Sequence, residues 1–145
     1  MISIRQLLEA KGSEVWSTSP DASVYEALQL LAEKYIGALM VLRDGELAGV
    51  VSERDYARKV VLHGKTSMKT PIKEIMTEEV ITVGIGSTVE EAMALMADKR
   101  IRHLPVMEGE KIVGVVSIGD LVKAIMADQE FTIDQLEKYI SGTRS

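Results

Sequence analysis

The chain states one pattern twice. Laid on itself at an offset of 65 residues, without a gap, it pairs Glu14-Val15 with Glu79-Val80 and runs on to Val61 opposite Met126. About a third of the aligned positions are identical, among them Val24/Val89, Glu26/Glu91, Ala27/Ala92, Leu30/Leu95, Ile36/Ile101, Leu39/Leu104, Val41/Val106, Gly49/Gly114, Ser52/Ser117 and Asp55/Asp120. Such a chain must fold as two copies of one small unit. A unit of roughly 50 residues buries too little apolar surface to stand alone, so two units sharing one core across a pseudo-twofold axis is the expected solution.

Within each copy the periodicity changes in the same order. Val15 to Thr18 and Val80 to Val83 are short β-prone runs, followed by the turns "SPDAS" and "GIGST", each ending in a hydroxyl residue suited to cap a helix. Apolar residues then recur as Val24, Ala27, Leu28, Leu31 and as Val89, Ala92, Met93, Met96, the spacing of one helical face. "GALMVLRDGELAGVVS" and "RHLPVMEGEKIVGVVS" read as hairpins, with turns at Asp44-Gly45 and Glu108-Gly109, and a last helix opens near Glu53 or Ile118. Each copy is β-α-β-β-α, an α/β unit whose apolar strands belong under helices.

The boundaries expected are a leader helix at 1–13, a first repeat at 14–63, a linker and second leader helix at 64–78, a second repeat at 79–128 and a helical tail at 129–145. The leaders "IRQLL" (4–8) and "IKEIM" (72–76) resemble each other. In the tail, Thr132 and Gln135 form a capping box that opens a separate amphipathic helix, which Gly142 ends.

Composition narrows the chemistry. A formal charge of −5 argues against a nucleic-acid or anionic-membrane surface, and no apolar run is long enough to span a bilayer. The N-terminal segment lacks the pattern of a signal peptide, so the cytoplasm is the expected location. With no cysteine there is no thiolate chemistry, and two histidines, His63 and His103, do not make a metal cluster. "GIGST" places Val89 where a dinucleotide loop needs its third glycine. No set of catalytic residues can be assembled, and an enzyme is not expected.

The residues that stand out are Ser52 and Asp55, and their copies Ser117 and Asp120, at a strand-to-helix junction. A helix start offers amides of partial positive charge to a phosphate, and an Asp in the first turn can accept hydrogen bonds from vicinal ribose hydroxyls. The same Ser-x-x-Asp spacing is also a capping box, so the residues by themselves leave both readings open.

Taken together, the helix starts Ser23-Val24-Tyr25-Glu26-Ala27 and Thr88-Val89-Glu90-Glu91-Ala92, the strands "IGALMV" and "IRHLPV", and the phrases "GVVSERD" and "GVVSIGD" resemble a tandem pair of CBS domains, named for cystathionine β-synthase. The likeness is to stand-alone bacterial and archaeal CBS pairs. It implies a regulatory module that binds AMP, ADP, ATP, NAD or S-adenosylmethionine without acting on it chemically, and that assembles as a homodimer through exposed helix faces. One cleft would use Ala22, Ala27, Ile36 and Gly37 around the base, with Ser117 and Asp120 on phosphate and ribose and Arg102 facing the phosphates; His103, packed or hydrogen-bonded beside the strand, is counted with this set. Its mirror would use Ser87, Ala92 and Ile101 with Ser52, Arg54 and Asp55. A ligand-independent interaction module is the alternative reading.

Overall fold

The structure, a computed structural model, describes residues 2–140. The elements run α1 (Ile4–Lys11), β1 (Ser17–Thr18), α2 (Val24–Lys34), β2 (Ala38–Arg43), β3 (Glu46–Ser52), α3 (Glu53–Tyr56), β4 (Val83–Gly84), α4 (Val89–Lys99), β5 (His103–Glu108), β6 (Lys111–Ser117) and α5 (Ile118–Ile140). A π turn (Ala57–Val61) continues α3, and a 3-10 turn (Ile72–Glu74) precedes β4. They form two compact units, one of Val15–Ile81 and one of Met1–Glu14 with Thr82–Ser145.

The two units repeat one topology. Each holds a three-stranded sheet, ordered β1-β2-β3 or β4-β5-β6, with a parallel first pair and an antiparallel hairpin. The hairpins even share an irregularity, a register shift between Val41 and Leu42 and between Val106 and Met107. In the first hairpin Asp44 and Gly45 both take positive φ (53° and 82°), as a type I′ turn demands. In the second, Glu108 pairs with Lys111, so the turn residues are Gly109 and Glu110, one position beyond the expected Glu108-Gly109. Gly109 (φ 63°) thus stands where Asp44 does in the first copy.

Helices α2 and α4 bury the expected apolar stripe: Val24, Ala27 and Leu31 in one, Val89, Ala92 and Met96 in the other. Ser23 and Thr88 cap them, their side-chain oxygens accepting from the amides of Glu26 and Glu91. Both helices end in a left-handed residue that is not glycine, Tyr35 and Arg100, which stops the helix and turns the chain toward the hairpin.

The leaders are exchanged. The segment after the first repeat docks on that repeat: Val24 and Ile72 donate backbone hydrogen bonds to Thr70 O (2.8 Å) and Ala22 O (2.9 Å). The segment before the first repeat docks instead on the second, with Val89 donating to Ile2 O (2.9 Å) and Ile4 to Ser87 O (2.8 Å). Ile72, Ile75 and Met76 therefore join the core of Val24, Leu31, Leu39, Val41 and Val51, and Ile4, Leu7 and Leu8 are buried in the other unit. Gly49 and Gly114 are small because of this docking. A Cβ on Gly49 would lie 2.9 Å from both Met76 Sδ and Thr77 O, and one on Gly114 would lie 2.8 Å from Leu8 Cδ1.

Several expectations are corrected. The second leader is a single 3-10 turn, not a helix. The strands expected over Val15 to Thr18 and Val80 to Val83 are confined to Ser17–Thr18 and Val83–Gly84. Nor does a new helix begin at Thr132: α5 runs unbroken to Ile140, and Thr132 Oγ1 donates to Asp128 O (3.0 Å) inside it. The stop assigned to Gly142 lies outside the described residues.

Candidate functional site

Each repeat ends its hairpin in the same closed motif. At the end of β3, Ser52 caps α3: the Asp55 amide donates to Ser52 Oγ (3.3 Å), and the Ser52 amide and hydroxyl donate to Asp55 Oδ2 (2.9 and 3.1 Å). The Glu53 amide donates to Gly37 O (3.2 Å), tying the helix start to the residue before β2. In the second repeat the Asp120 amide donates to Ser117 Oγ (3.2 Å) and the Ser117 amide to Asp120 Oδ2 (2.8 Å). The Ile118 amide donates to Arg102 O (2.9 Å), so residue 102 adjoins the Ser117 motif through the backbone.

A lysine completes each motif, and the sequence reading named neither. Lys59 Nζ sits 3.1 Å from Asp55 Oδ1 and donates to Ile75 O (2.9 Å). Lys11 Nζ sits 2.8 Å from Asp120 Oδ2 and donates to Val115 O (2.9 Å). Lys59 follows Asp55 by four residues on one helix face, a spacing that could have revealed it. Lys11 comes from α1, and no local spacing points to it.

These contacts set the ionisation of the second motif. Burial alone would raise the Asp120 carboxyl, but the Lys11 ammonium and the Ser117 amide and hydroxyl outweigh it and hold the group below the ordinary carboxylate value. His103, whose Cα pairs with that of Ser117 across the hairpin, is shifted below the ordinary imidazole value. Burial is the main cause. Lys11 and Arg102 add to the shift, while Asp120 opposes it.

The other expected site residues divide by exposure. Arg54 and Arg102 are exposed, the first on α3 and the second just before β5, while Ala22, Ile36, Gly37, Ser87 and Ile101 are half-buried. Ala27 and Ala92 are buried on the core faces of α2 and α4. Ile36 and Gly37 line an open groove of about 570 Å³ with Leu28, Leu31, Tyr35 and Glu53, a size within the range of small-molecule sites. Among the described residues no three acidic or histidine side chains gather as metal ligands, and no helix is long and apolar enough to cross a membrane.

The sequence matches the family model described as CBS domain twice, over residues 11–62 and 72–127. A mitochondrial CBS domain-containing protein of Arabidopsis thaliana is 43% identical over 138 residues, a span that takes in 92% of this chain and 66% of that protein. A solved CBS-domain protein from Burkholderia ambifaria is 48% identical, with a TM-score of 0.85 over 88% of this chain and 96% of its own. The CBS domain pair of protein MJ0100, solved in complex with 5′-methylthioadenosine and S-adenosyl-L-methionine, shares the fold at 24% identity, with a TM-score of 0.78 over 88% of this chain and 98% of its own. Two matched segments, each carrying one sheet and one Ser-x-x-Asp junction, make this chain a member of the CBS-domain family, present as a tandem pair.

Proposed function

We propose that the chain is a cytoplasmic regulatory module, not an enzyme, which binds an adenosine-containing ligand (AMP, ADP, ATP, NAD or S-adenosylmethionine) and signals its presence to a partner by conformational change, acting as a homodimer. The observation that carries this reading is the duplicated junction in which Ser52/Asp55 and Ser117/Asp120 present a helix start beside a carboxylate. The exposed Arg54 and Arg102 suit phosphate or another anionic group. Each Asp suits vicinal hydroxyls, and the half-buried Ala22, Ile36, Gly37, Ser87 and Ile101 suit a planar base. The adenosine ligands of the MJ0100 pair support the ligand class. A ligand can signal only if it prefers one arrangement of the protein, since equal affinity for two states shifts neither.

One observation favours the second reading, a ligand-independent interaction module. Both aspartates already have a cap and a lysine within their own unit. A thermal-shift panel of the five compounds separates the two. A ligand at about a hundredfold above its dissociation constant adds roughly 2.7 kcal/mol to the stability of its binding state. A selective shift that disappears in Asp55→Ala or Asp120→Ala supports the sensor. No shift with any of the five, and only the stability cost of a lost cap in the variants, supports the interaction module.

A further inference from the structure

Helix α5 outlasts the unit that it packs on. Its first part is anchored by Leu121, which is wholly buried, and by the half-buried Ala124, Ile125 and Asp128. Beyond Asp128 every described side chain is exposed. An isolated helix of about 12 residues is marginal in water, and this extension still carries Ile133, Leu136 and Ile140. These continue a stripe that begins on the anchored part. Val122, Met126, Gln129, Ile133, Leu136 and Ile140 recur at alternating steps of four and three and fall on one face, about a quarter-turn round from Leu121. The five apolar members are 42% to 82% exposed.

We infer that this stripe is an antiparallel coiled-coil seam, and that its occupant is α5 of a second copy of the chain. The seam is complementary to itself under a twofold axis. Running two copies in opposite directions sets Val122 against Ile140, Met126 against Leu136 and Gln129 against Ile133, each pairing occurring twice. The apolar residues of the protruding half then cover those of the anchored half, which is where each lacks a neighbour. Charge agrees with this direction: Lys123 and Glu137 flank the seam on one side, and the antiparallel register brings each beside the other's counterpart on the second helix. Glu130, midway between them, meets its own copy, so two attractive pairs stand against one repulsive one. Gln129 is the single polar residue in the seam and faces Ile133, so the register is set by the overlap of the five apolar positions and by the Lys123–Glu137 pairs. This proposal rests on the homodimer of the functional reading and names the surface that makes it.

The full chain has no cysteine, so single introduced cysteines report directly on direction. In the antiparallel register, Met126 lies opposite Leu136 of the second copy, while the two Met126 residues are about 15 Å apart along the axis. Under mild oxidation, a mixture of Met126→Cys and Leu136→Cys chains should form the mixed disulfide dimer, and Met126→Cys alone should not cross-link. Lys123→Glu and Glu137→Lys should each weaken the dimer at least tenfold by sedimentation, and the double variant should restore it. Both residues are exposed, so the single variants should keep the thermal midpoint of the packed units, and any helix lost with the dimer should return in the double variant. Cross-linking of Met126→Cys with itself, or no cross-linking in the mixture, overturns the seam. If sedimentation then still shows a dimer, the homodimer reading survives on another surface, and a monomer at micromolar concentration removes both.

Discussion

Lys11 Nζ lies 2.8 Å from Asp120 Oδ2, a contact between residues 109 positions apart in the chain. Asp55, the same residue one repeat earlier, is met by Lys59 at 3.1 Å from within its own helical segment. The two motifs therefore bring an ammonium to the aspartate by different routes: one closes locally, and the other closes only when α1 docks.

Replacing Lys11 with Met should separate the two motifs. Asp120 loses its cation while Asp55 keeps its own. The pair is partly exposed, so the cost in stability should be about 0.5 to 1 kcal/mol, read from the urea midpoint. If Asp120 receives ribose hydroxyls, Lys11 competes with them, and calorimetry should show the adenosine ligand binding severalfold more tightly to Lys11→Met. An unchanged or weaker affinity would mean that Lys11 does not compete for that carboxylate.

Acid should weaken the fold in two steps. His103 holds a lowered pKa in the folded chain, so the unfolded chain binds its proton first, near the ordinary value of 6.5. Stability is therefore lost as pH falls below that value toward the folded pKa. Asp120 is lowered from 3.8, so its contribution is present above that value and lost as pH falls through the folded pKa. Subtracting the stability curve of His103→Gln from that of the parent should leave a difference with positive slope just below pH 6.5. A flat difference there would contradict the burial of His103.

Gly49 and Gly114 should not tolerate alanine equally. The new methyl at Gly49 meets a backbone oxygen, Thr77 O, as well as Met76, whereas at Gly114 its three nearest atoms all belong to the Leu8 side chain. A side chain can yield where a backbone cannot. Gly49→Ala should cost about 1 to 3 kcal/mol, with a smaller loss for Gly114→Ala. Measured by thermal melting in a Leu8→Ala background, the cost of Gly114→Ala should shrink and that of Gly49→Ala should not.

Ile4 is fully buried, and its truncation to Ala should cost about 2 to 5 kcal/mol. The location of the damage matters more than its size. Amide exchange should accelerate in β5 and β6, which share a unit with Ile4, before it does in β2 and β3. The reverse order would mean that α1 serves the first repeat.

Much of this architecture is legible in the residues, because the governing interactions are local. Ser23 and Thr88 cap their helices by contacts three residues away, and the apolar stripe of α2 is set by helical period alone. The hairpin at Asp44-Gly45 follows from two residues able to take positive φ. Errors arise where a short motif has a non-local competitor. Glu108-Gly109 has the composition of a turn, but the pairing of His103 with Ser117 and the bulge after Val106 carry Glu108 into the strand. Thr132-x-x-Gln135 has the composition of a helix start, yet the preceding turns of α5 already satisfy that backbone and the threonine bonds to Asp128 O instead. The seats of Leu8 and Lys11 have no local signature, since the period of a helix says which face is buried and not what buries it.

The exchanged leaders also bear on synthesis. At roughly 5 to 20 residues per second, the sheet of Gly114 follows Leu8 out of the ribosome by about 5 to 20 seconds. During that interval Ile4, Leu7 and Leu8 have no surface to cover them, while Val15–Ile81, whose elements are contiguous, can already close. The nascent chain thus passes through a state with one half closed and an apolar helix whose final seat has not yet been made.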